Sequence, residues 1–260
     1  MQLCIQCHVR KPNDQNRVAV LDPNRLALLK PLFRADWYAA ARHFDEALLT
    51  YQDVIKDQNL VRTNPQEWQE AAQRALAISV RAKGDPDQSE KIVDSILNTT
   101  NAPHYFLARA QLWKDQIHEW KSNTLRIKLR GSDYDKAIVL MQIARQKAPT
   151  SGDYSNSYIL YLRASSYLHS YLQQISDPIQ TAKAYLLLGQ CYEVLKDPGE
   201  VGLSKNYYKS CILSAPHTET AIKCFDRYEE RTYVDALGGE TAIPLSTVDY
   251  MDYLKNMASP

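Results

Sequence analysis

Hydrophobic residues recur along most of the chain with the spacing of paired amphipathic helices. The clearest examples of the second helix of a pair are Phe44–Tyr51 and Tyr134–Met141. The clearest example of the first helix of a pair is Tyr185–Tyr192. Each second helix has an aromatic and an acidic residue at its start, a small residue three positions on and a large apolar residue four beyond that. Because pairs of this kind cannot bury their apolar faces alone, the pattern predicts an all-α fold in which successive hairpins stack into a solenoid.

Proline, glycine and capping residues predict where the helices begin and end. Asp22–Pro23, Asn64–Pro65 and Asp177–Pro178 each place a capping side chain before a proline in the first turn. Pro31 is expected to end or kink the first of these helices. The other predicted helices, in chain order, cover residues 45–56, 87–97, 103–129 with a break near 122–123, 134–147, 153–171, 203–213, 218–231 and 246–256.

These stretches resemble tetratricopeptide repeats (TPRs), a family of paired helices that repeats about every 34 residues. The residues that match best are Tyr185, Leu188, Gly189, Tyr192, Tyr208, Cys211 and Pro216. A second good match consists of Asp133, Tyr134, Ala137, Met141, Ala144 and Pro149. The resemblance implies a TPR-like solenoid of helical hairpins, a right-handed superhelix, over residues 22–235. An irregular segment 1–21 would precede it, and a tail 236–260 with one short helix would follow.

The resemblance also implies a concave groove lined by the first helix of each pair. The best-matching pair would expose Lys183, Gln190 and Glu193 there, and the third pair would expose Glu119, Arg126 and Arg130. A mixed polar lining suits an extended peptide or a helix of another protein. The competing interpretation is an ordinary solvated helix face.

Composition narrows the functional classes. The chain has 31 basic and 30 acidic residues and a net charge of +1, and their even mixing gives no electrostatic support for binding nucleic acid or an anionic membrane. Charged residues interrupt the apolar runs well short of a membrane span. The sequence contains no G-x-S-x-G, glycine-rich phosphate loop or H-E-x-x-H motif. We therefore expect a binding protein and no enzymatic activity.

One short motif points to a cofactor. Cys4, Cys7 and His8 form a C-x-x-C-H sequence, which is the attachment signature of c-type haem. Two thiols one helical turn apart add to the two vinyl groups, and the adjacent imidazole of His8 becomes a ligand of the iron. A sixth ligand would come from another chain, a methionine or one of the histidines, namely His43, His104, His118 and His169.

Three other interpretations of this motif stay open. The first is half of a zinc site, although no second C-x-x-C completes four ligands. The second is a redox dithiol, although a thioredoxin-like pattern is absent. The third is a chance match in an irregular terminus.

The remaining cysteines bear on the cellular compartment. Cys211 and Cys224 are symmetric about the turn Ala215–Thr218, so in an antiparallel helix hairpin their thiols should face each other. We predict a disulfide, with two small buried thiols as the alternative. Cys191 is expected on the packed side of its helix and inert.

The stretch Tyr185–Pro244 is similar to the closing part of uncharacterised repeat proteins exported by Gram-negative bacteria. That similarity is carried by Cys211–Ile212, Ala215–Thr218, Cys224 and Tyr228–Glu229. Haem attachment and disulfides both belong to an oxidising compartment, which favours the periplasm. The absence of a visible export signal at Met1 favours the cytoplasm instead.

The sequence therefore leads to three hypotheses. The first is a protein–protein interaction scaffold of the cell envelope that forms part of a complex and carries a haem c at its N-terminus. The second is an electron-transfer subunit in which a c-type cytochrome is fused to a repeat domain. The third is a cytosolic TPR adaptor without a cofactor.

Overall fold

The computed structural model describes residues 29–122, 129–147, 154–195, 202–238 and 243–259. Within these ranges the chain forms twelve α-helices and no β-strand, which confirms the predicted all-α fold class. The helices are α1 Pro31–Ala40, α2 Phe44–Lys56, α3 Gln58–Thr63, α4 Pro65–Ile78, α5 Pro86–Leu97, α6 His104–Lys121, α7 Asp133–Lys147, α8 Tyr158–Gln174, α9 Pro178–Leu195, α10 Leu203–Ser214, α11 Glu219–Gly238 and α12 Leu245–Ala258. A π-helical turn, Ser79–Lys83, continues α4, and a 3-10 turn, Ser155–Ser157, precedes α8.

Short polar side chains cap two of the three helices that the sequence predicted from Asx–Pro pairs, and the third pair, Asp22–Pro23, lies outside the described residues. The Asn64 side chain accepts a hydrogen bond from the Glu67 backbone N–H at the start of α4. Asp177 caps α9 in the same way through the N–H groups of Ile179 and Gln180. These contacts satisfy backbone donors that have no partner inside the helix. Pro31 is the first residue of α1, a position where its missing N–H costs nothing.

Several helix ends differ from the prediction. The short helix α3 was not predicted, and it forms because the Asp57 side chain accepts from the N–H groups of Asn59 and Leu60. The tyrosine-rich helix α8 begins at Tyr158, after Tyr154. Helix α11 continues to Gly238, seven residues beyond the predicted end, because no glycine or proline interrupts it before that point.

The chain divides into two compact units. Of the described residues, those up to 167 belong to the first unit and those from 168 onward belong to the second. The division falls within α8. The predicted irregular segment 1–21 lies outside the described residues.

A row of aromatic rings runs through the core of the first unit. Trp68 of α4 contacts Phe106 of α6, with ring centroids 5.3 Å apart, and Phe106 contacts Trp113 at 5.5 Å. Trp113 in turn lies 5.2 Å from the ring of Tyr158. The indole N–H of Trp68 donates to the carbonyl of Ile55 at 2.9 Å, which satisfies its polar atom inside the core. The row therefore links α4, α6 and α8.

A buried glutamine joins α6 to the start of α8. The Gln116 amide donates to the carbonyls of Leu112 and Ser155, at 2.9 and 2.8 Å. Its oxygen accepts from the backbone N–H of Ile159 at 3.0 Å. The side chain thus uses both ends of its amide, as a buried polar group must.

In the second unit, consecutive helices pack in chain order. Helix α9 contacts α10, α10 contacts α11, and α12 contacts both α10 and α11. A disulfide joins Cys211 of α10 to Cys224 of α11, with their Cα atoms 6.3 Å apart. The predicted pairing of these two cysteines is confirmed, and Cys191 is buried outside this disulfide. The backbone N–H of His217, in the turn between α10 and α11, donates to the carbonyl of Met257 on α12 at 2.9 Å.

Candidate functional site

The candidate groove of the second unit is built on α9, where Gly189 permits an unusually close helix contact. A Cβ atom on Gly189 would lie 2.6 Å from both Cδ1 and Cζ of Tyr208, far inside van der Waals contact. The ring of Tyr208, on α10, therefore rests directly on the α9 backbone. Gly189 and Tyr208 are two of the positions on which the resemblance to TPRs rests.

Of the three residues that the sequence placed in this groove, two are partly accessible and one is engaged inside the bundle. Lys183 and Gln190 are half-buried on α9. The side chain of Glu193 is 15% exposed. It accepts a hydrogen bond from the Tyr208 hydroxyl at 2.5 Å and pairs with Arg227 of α11 at 3.2 Å. Glu193 thus connects three consecutive helices.

The same arrangement occurs in the first unit, where sequence reasoning missed it. Asp36 of α1 accepts from the hydroxyl of Tyr51 on α2 at 2.5 Å, and Arg74 of α4 donates to the same carboxylate. Arg74 also pairs with Glu70 at 3.4 Å, much as Arg227 pairs with Glu230. In both units the tyrosine lies 15 positions after the carboxylate. That separation is the signal that was available in the sequence.

We call these two sets of side chains the carboxylate–tyrosine–arginine clusters: Asp36, Tyr51 and Arg74 in the first unit, and Glu193, Tyr208 and Arg227 in the second. Burial, followed by the neighbouring carboxylate, holds the pKa of Tyr51 and of Tyr208 well above the usual value of 10.0. Burial alone would lower the pKa of Arg74 and Arg227, but their carboxylate partners outweigh it and raise both pKa values. The tyrosines are therefore neutral and the arginines charged over the whole physiological pH range.

The raised tyrosine pKa values predict a loss of stability at alkaline pH. Below pH 10 both tyrosines keep their protons whether the chain is folded or unfolded, so they contribute fully to the free energy of unfolding. Above pH 10.0 they ionise only in the unfolded chain, and each lowers the free energy of unfolding by about 1.4 kcal/mol per pH unit. Urea denaturation between pH 8 and pH 11 should show this slope.

Two substitutions and one control separate these tyrosines from general alkaline effects. In Tyr51→Phe and in Tyr208→Phe the slope above pH 10 should be shallower by the contribution of one proton. Tyr105→Phe, which alters an exposed ring, should leave the slope unchanged. Equal slopes in all three variants would show that neither buried tyrosine keeps its proton on folding.

The other predicted groove residues do not lie together on one helix. Glu119 is exposed near the end of α6, and its carboxylate pairs with Lys147 of α7. Arg130 is exposed but precedes α7, because α6 ends at Lys121. Arg130 lies outside the helices that the structure describes, and its place in a groove stays a prediction. Arg126 lies outside the described residues.

The proposed haem-attachment residues Cys4, Cys7 and His8 also lie outside the described residues, as does any geometry around them. The four histidines considered as sixth ligands have ordinary surroundings. His43 and His104 are exposed, His118 lies 2.6 Å from Glu90, and His169 is buried with its ring 3.4 Å from the hydroxyls of Tyr192 and Tyr207. Among the described residues no group of three His, Cys, Asp or Glu side chains could hold a metal ion.

One buried cation was not predicted. Arg163 on α8 is 5% exposed, its guanidinium lies 4.6 Å from the ring centroid of Trp120, and its Nη1 has no hydrogen-bond partner in the part of the chain that the structure describes. Burial lowers the pKa of Arg163 to about 10. The indole face partly compensates for lost hydration, but no carboxylate does so among the described residues.

We therefore expect Arg163→Met to raise the free energy of unfolding by about 1 kcal/mol, because it relieves the desolvation cost of a buried charge that only the Trp120 ring and the Tyr167 side chain offset. The matched control is Arg74→Met, which removes a cation that does have a carboxylate partner and should lower stability. Urea denaturation at pH 7 measures both. A loss of stability in Arg163→Met would mean that a counter-charge neutralises the guanidinium.

Among the described residues, none of the helices has the length and apolar character that crossing a bilayer requires. Comparison of the chain with protein-family models, with curated proteins and with solved structures gives no match.

Proposed function

We propose that this chain is a protein–protein interaction scaffold of the cell envelope, built from TPR-like hairpins that stack into a right-handed solenoid. The observation that carries the proposal is the close packing of the Tyr208 ring on Gly189, since both residues occupy positions of the TPR-like pattern. That pattern requires a large side chain of one helix in a hairpin to pack closely on a small residue of the other helix. Repeat arrays of this kind present surface and perform no reaction themselves.

The recurrence of the carboxylate–tyrosine–arginine cluster in both units supports the proposal. Each cluster takes its carboxylate from one helix, its tyrosine from the next long helix and its arginine from a third. A connection from one hairpin to the helix that follows it is what a stacked array needs at every junction.

Site-specific photo-crosslinking tests the scaffold function. A benzophenone amino acid at Lys183 on α9 should capture a partner protein in the native cells, whereas the same probe at Asn206, exposed on α10, should not. The captured protein, once purified, should bind wild-type chain and Asn206→Glu equally. It should bind Lys183→Glu at least about tenfold more weakly. Equal crosslinking from both positions would contradict a groove on α9.

The C-x-x-C-H motif supports a second candidate function, electron transfer. A haem c held by Cys4 and Cys7, with His8 on its iron, would exchange single electrons with a partner in a larger assembly. Protein expressed with a haem-attachment system should show a Soret band and a covalent haem mass increment, and Cys4→Ala with Cys7→Ala should lose both. Protein without either signal would rule out electron transfer through a haem c.

Thiol counting separates both envelope functions from a cytosolic adaptor. In the proposed periplasmic location Cys211 and Cys224 are oxidised in cells, so alkylation of denatured protein should label them only after reduction. Labelling before reduction, in protein trapped with acid at harvest, would favour the cytosolic adaptor.

A further inference from the structure

Helix α12 has apolar residues on two opposite faces. Its inner face buries Met251, Leu254 and Ala258 against α10 and α11. A second set of residues follows the outer face at spacings of three and four: Leu245, Val248, Asp249, Asp252 and Tyr253. Leu245 is 82% exposed, and Val248 and Tyr253 are exposed as well. A helix that is apolar on both sides is normally covered on both sides.

Exposed apolar side chains also lie on α11. Tyr233, Val234 and Leu237 are all exposed near the end of α11. The outermost helices of a repeat array usually carry a polar outer face that keeps the array soluble. The end of α11 lacks such a face. We refer to Leu245, Val248, Asp249, Asp252 and Tyr253 as the α12 face.

The charges on the α12 face indicate what covers it. Asp249 and Asp252 are exposed, and within the described residues neither forms an ion pair. Two α12 faces brought together would oppose these four carboxylates, which disfavours a symmetric contact. The complementary surface is apolar and basic.

A surface of that kind exists on α1 at the other end of the described chain. Phe33 is 61% exposed, and Leu29 four residues before it is exposed too. Lys30, which directly precedes α1, and the half-buried Arg34 have the same spacing of four, and neither forms an ion pair among the described residues. Asp36, the acidic residue of α1, is occupied by Tyr51 and Arg74. We refer to Leu29, Lys30, Phe33 and Arg34 as the α1 face.

We propose that this chain associates head to tail, with the α1 face of one copy on the α12 face of a second copy. Leu245 and Val248 would pack against Phe33 and Leu29, while Asp249 and Asp252 meet Lys30 and Arg34. Because the two faces differ, the contact is heterologous, and each added copy leaves one face of each kind open. The contact uses no groove residue and does not depend on the proposed scaffold function.

Sedimentation velocity of the full chain tests the contact. A contact of two helices lies at the small end of protein interfaces, so the average mass should rise with concentration over about 1 to 200 µM. Phe33→Glu blocks the α1 face, and Leu245→Lys blocks the α12 face. Each variant alone should associate at least about tenfold more weakly than wild type. Both residues are exposed, so far-UV circular dichroism and the thermal midpoint should not change.

Mixing the two variants gives the decisive result. Phe33→Glu keeps an intact α12 face and Leu245→Lys keeps an intact α1 face, so together they should form a one-to-one complex that does not grow further. A variant carrying both substitutions should bind neither single variant. A wild type that stays monomeric, a single variant that still self-associates like wild type, or a mixture without complex would each overturn the proposal.

Discussion

Gly189→Ala is expected to lower the free energy of unfolding by about 3 kcal/mol. The new Cβ would lie 2.6 Å from two ring atoms of Tyr208, so the buried ring must move away from α9. Overpacking of this kind costs about 1–3 kcal/mol, and loss of the hydrogen bond to Glu193 adds about 1.5 kcal/mol or more. Alanine has a higher helix propensity than glycine, which offsets only about 1 kcal/mol of this loss.

Urea denaturation of Gly189→Ala and Gly84→Ala provides the comparison. A Cβ on Gly84 meets no atom within 4 Å, although the residue has a φ of +60°. Gly84→Ala should therefore lose only the roughly 1 kcal/mol that left-handed backbone costs a residue with a side chain. If Gly189→Ala were no less stable than Gly84→Ala, the close contact between α9 and α10 would be wrong.

Reduction of the Cys211–Cys224 disulfide is expected to cost about 3 kcal/mol of stability as well. The bond closes a loop with a sequence separation of 13, and restricting the unfolded chain by a loop of that size is worth about 3 kcal/mol. The denaturation midpoint should fall in reducing buffer. Cys211→Ala with Cys224→Ala should match the reduced wild type and no longer respond to reductant.

Cys191→Ala is the control for the effect of the reductant. Cys191 is buried and takes no part in the disulfide, so this variant should keep the full response to reduction. A midpoint unaffected by reduction in wild type would mean that the two thiols stabilise the turn by packing alone, which was the alternative interpretation of the sequence.

Local chemistry accounts for most of what the sequence predicted correctly. Asn64 and Asp177 cap helices because the side chain and the following proline suffice to fix a helix start, whatever packs on the helix later. Cys211 and Cys224 were paired from their symmetry about a short turn, which determines geometry in a helix hairpin. Neither inference needed knowledge of distant parts of the chain.

The features that the sequence did not reveal depend on contacts between helices that are far apart in the chain. Arg74 reaches Asp36 across 38 positions, and no local pattern marks either as a partner. The resemblance to TPRs assigned Glu193 to a groove, but it does not reveal the long side chains that reach Glu193 from α10 and α11. Helix α6 ends at Lys121, next to the break that the sequence predicted near 122–123, and Arg130 lies beyond it, before α7.

The carboxylate–tyrosine–arginine clusters also bear on how the molecule opens. Each one joins a hairpin to the helix that follows, so within a unit a single hairpin cannot detach without breaking hydrogen bonds on its neighbour. Backbone amides of α9, α10 and α11 should then exchange with deuterium at similar rates, as one cooperative block. In Glu193→Gln, which weakens the link to Arg227, the amides of α11 should exchange sooner than those of α9.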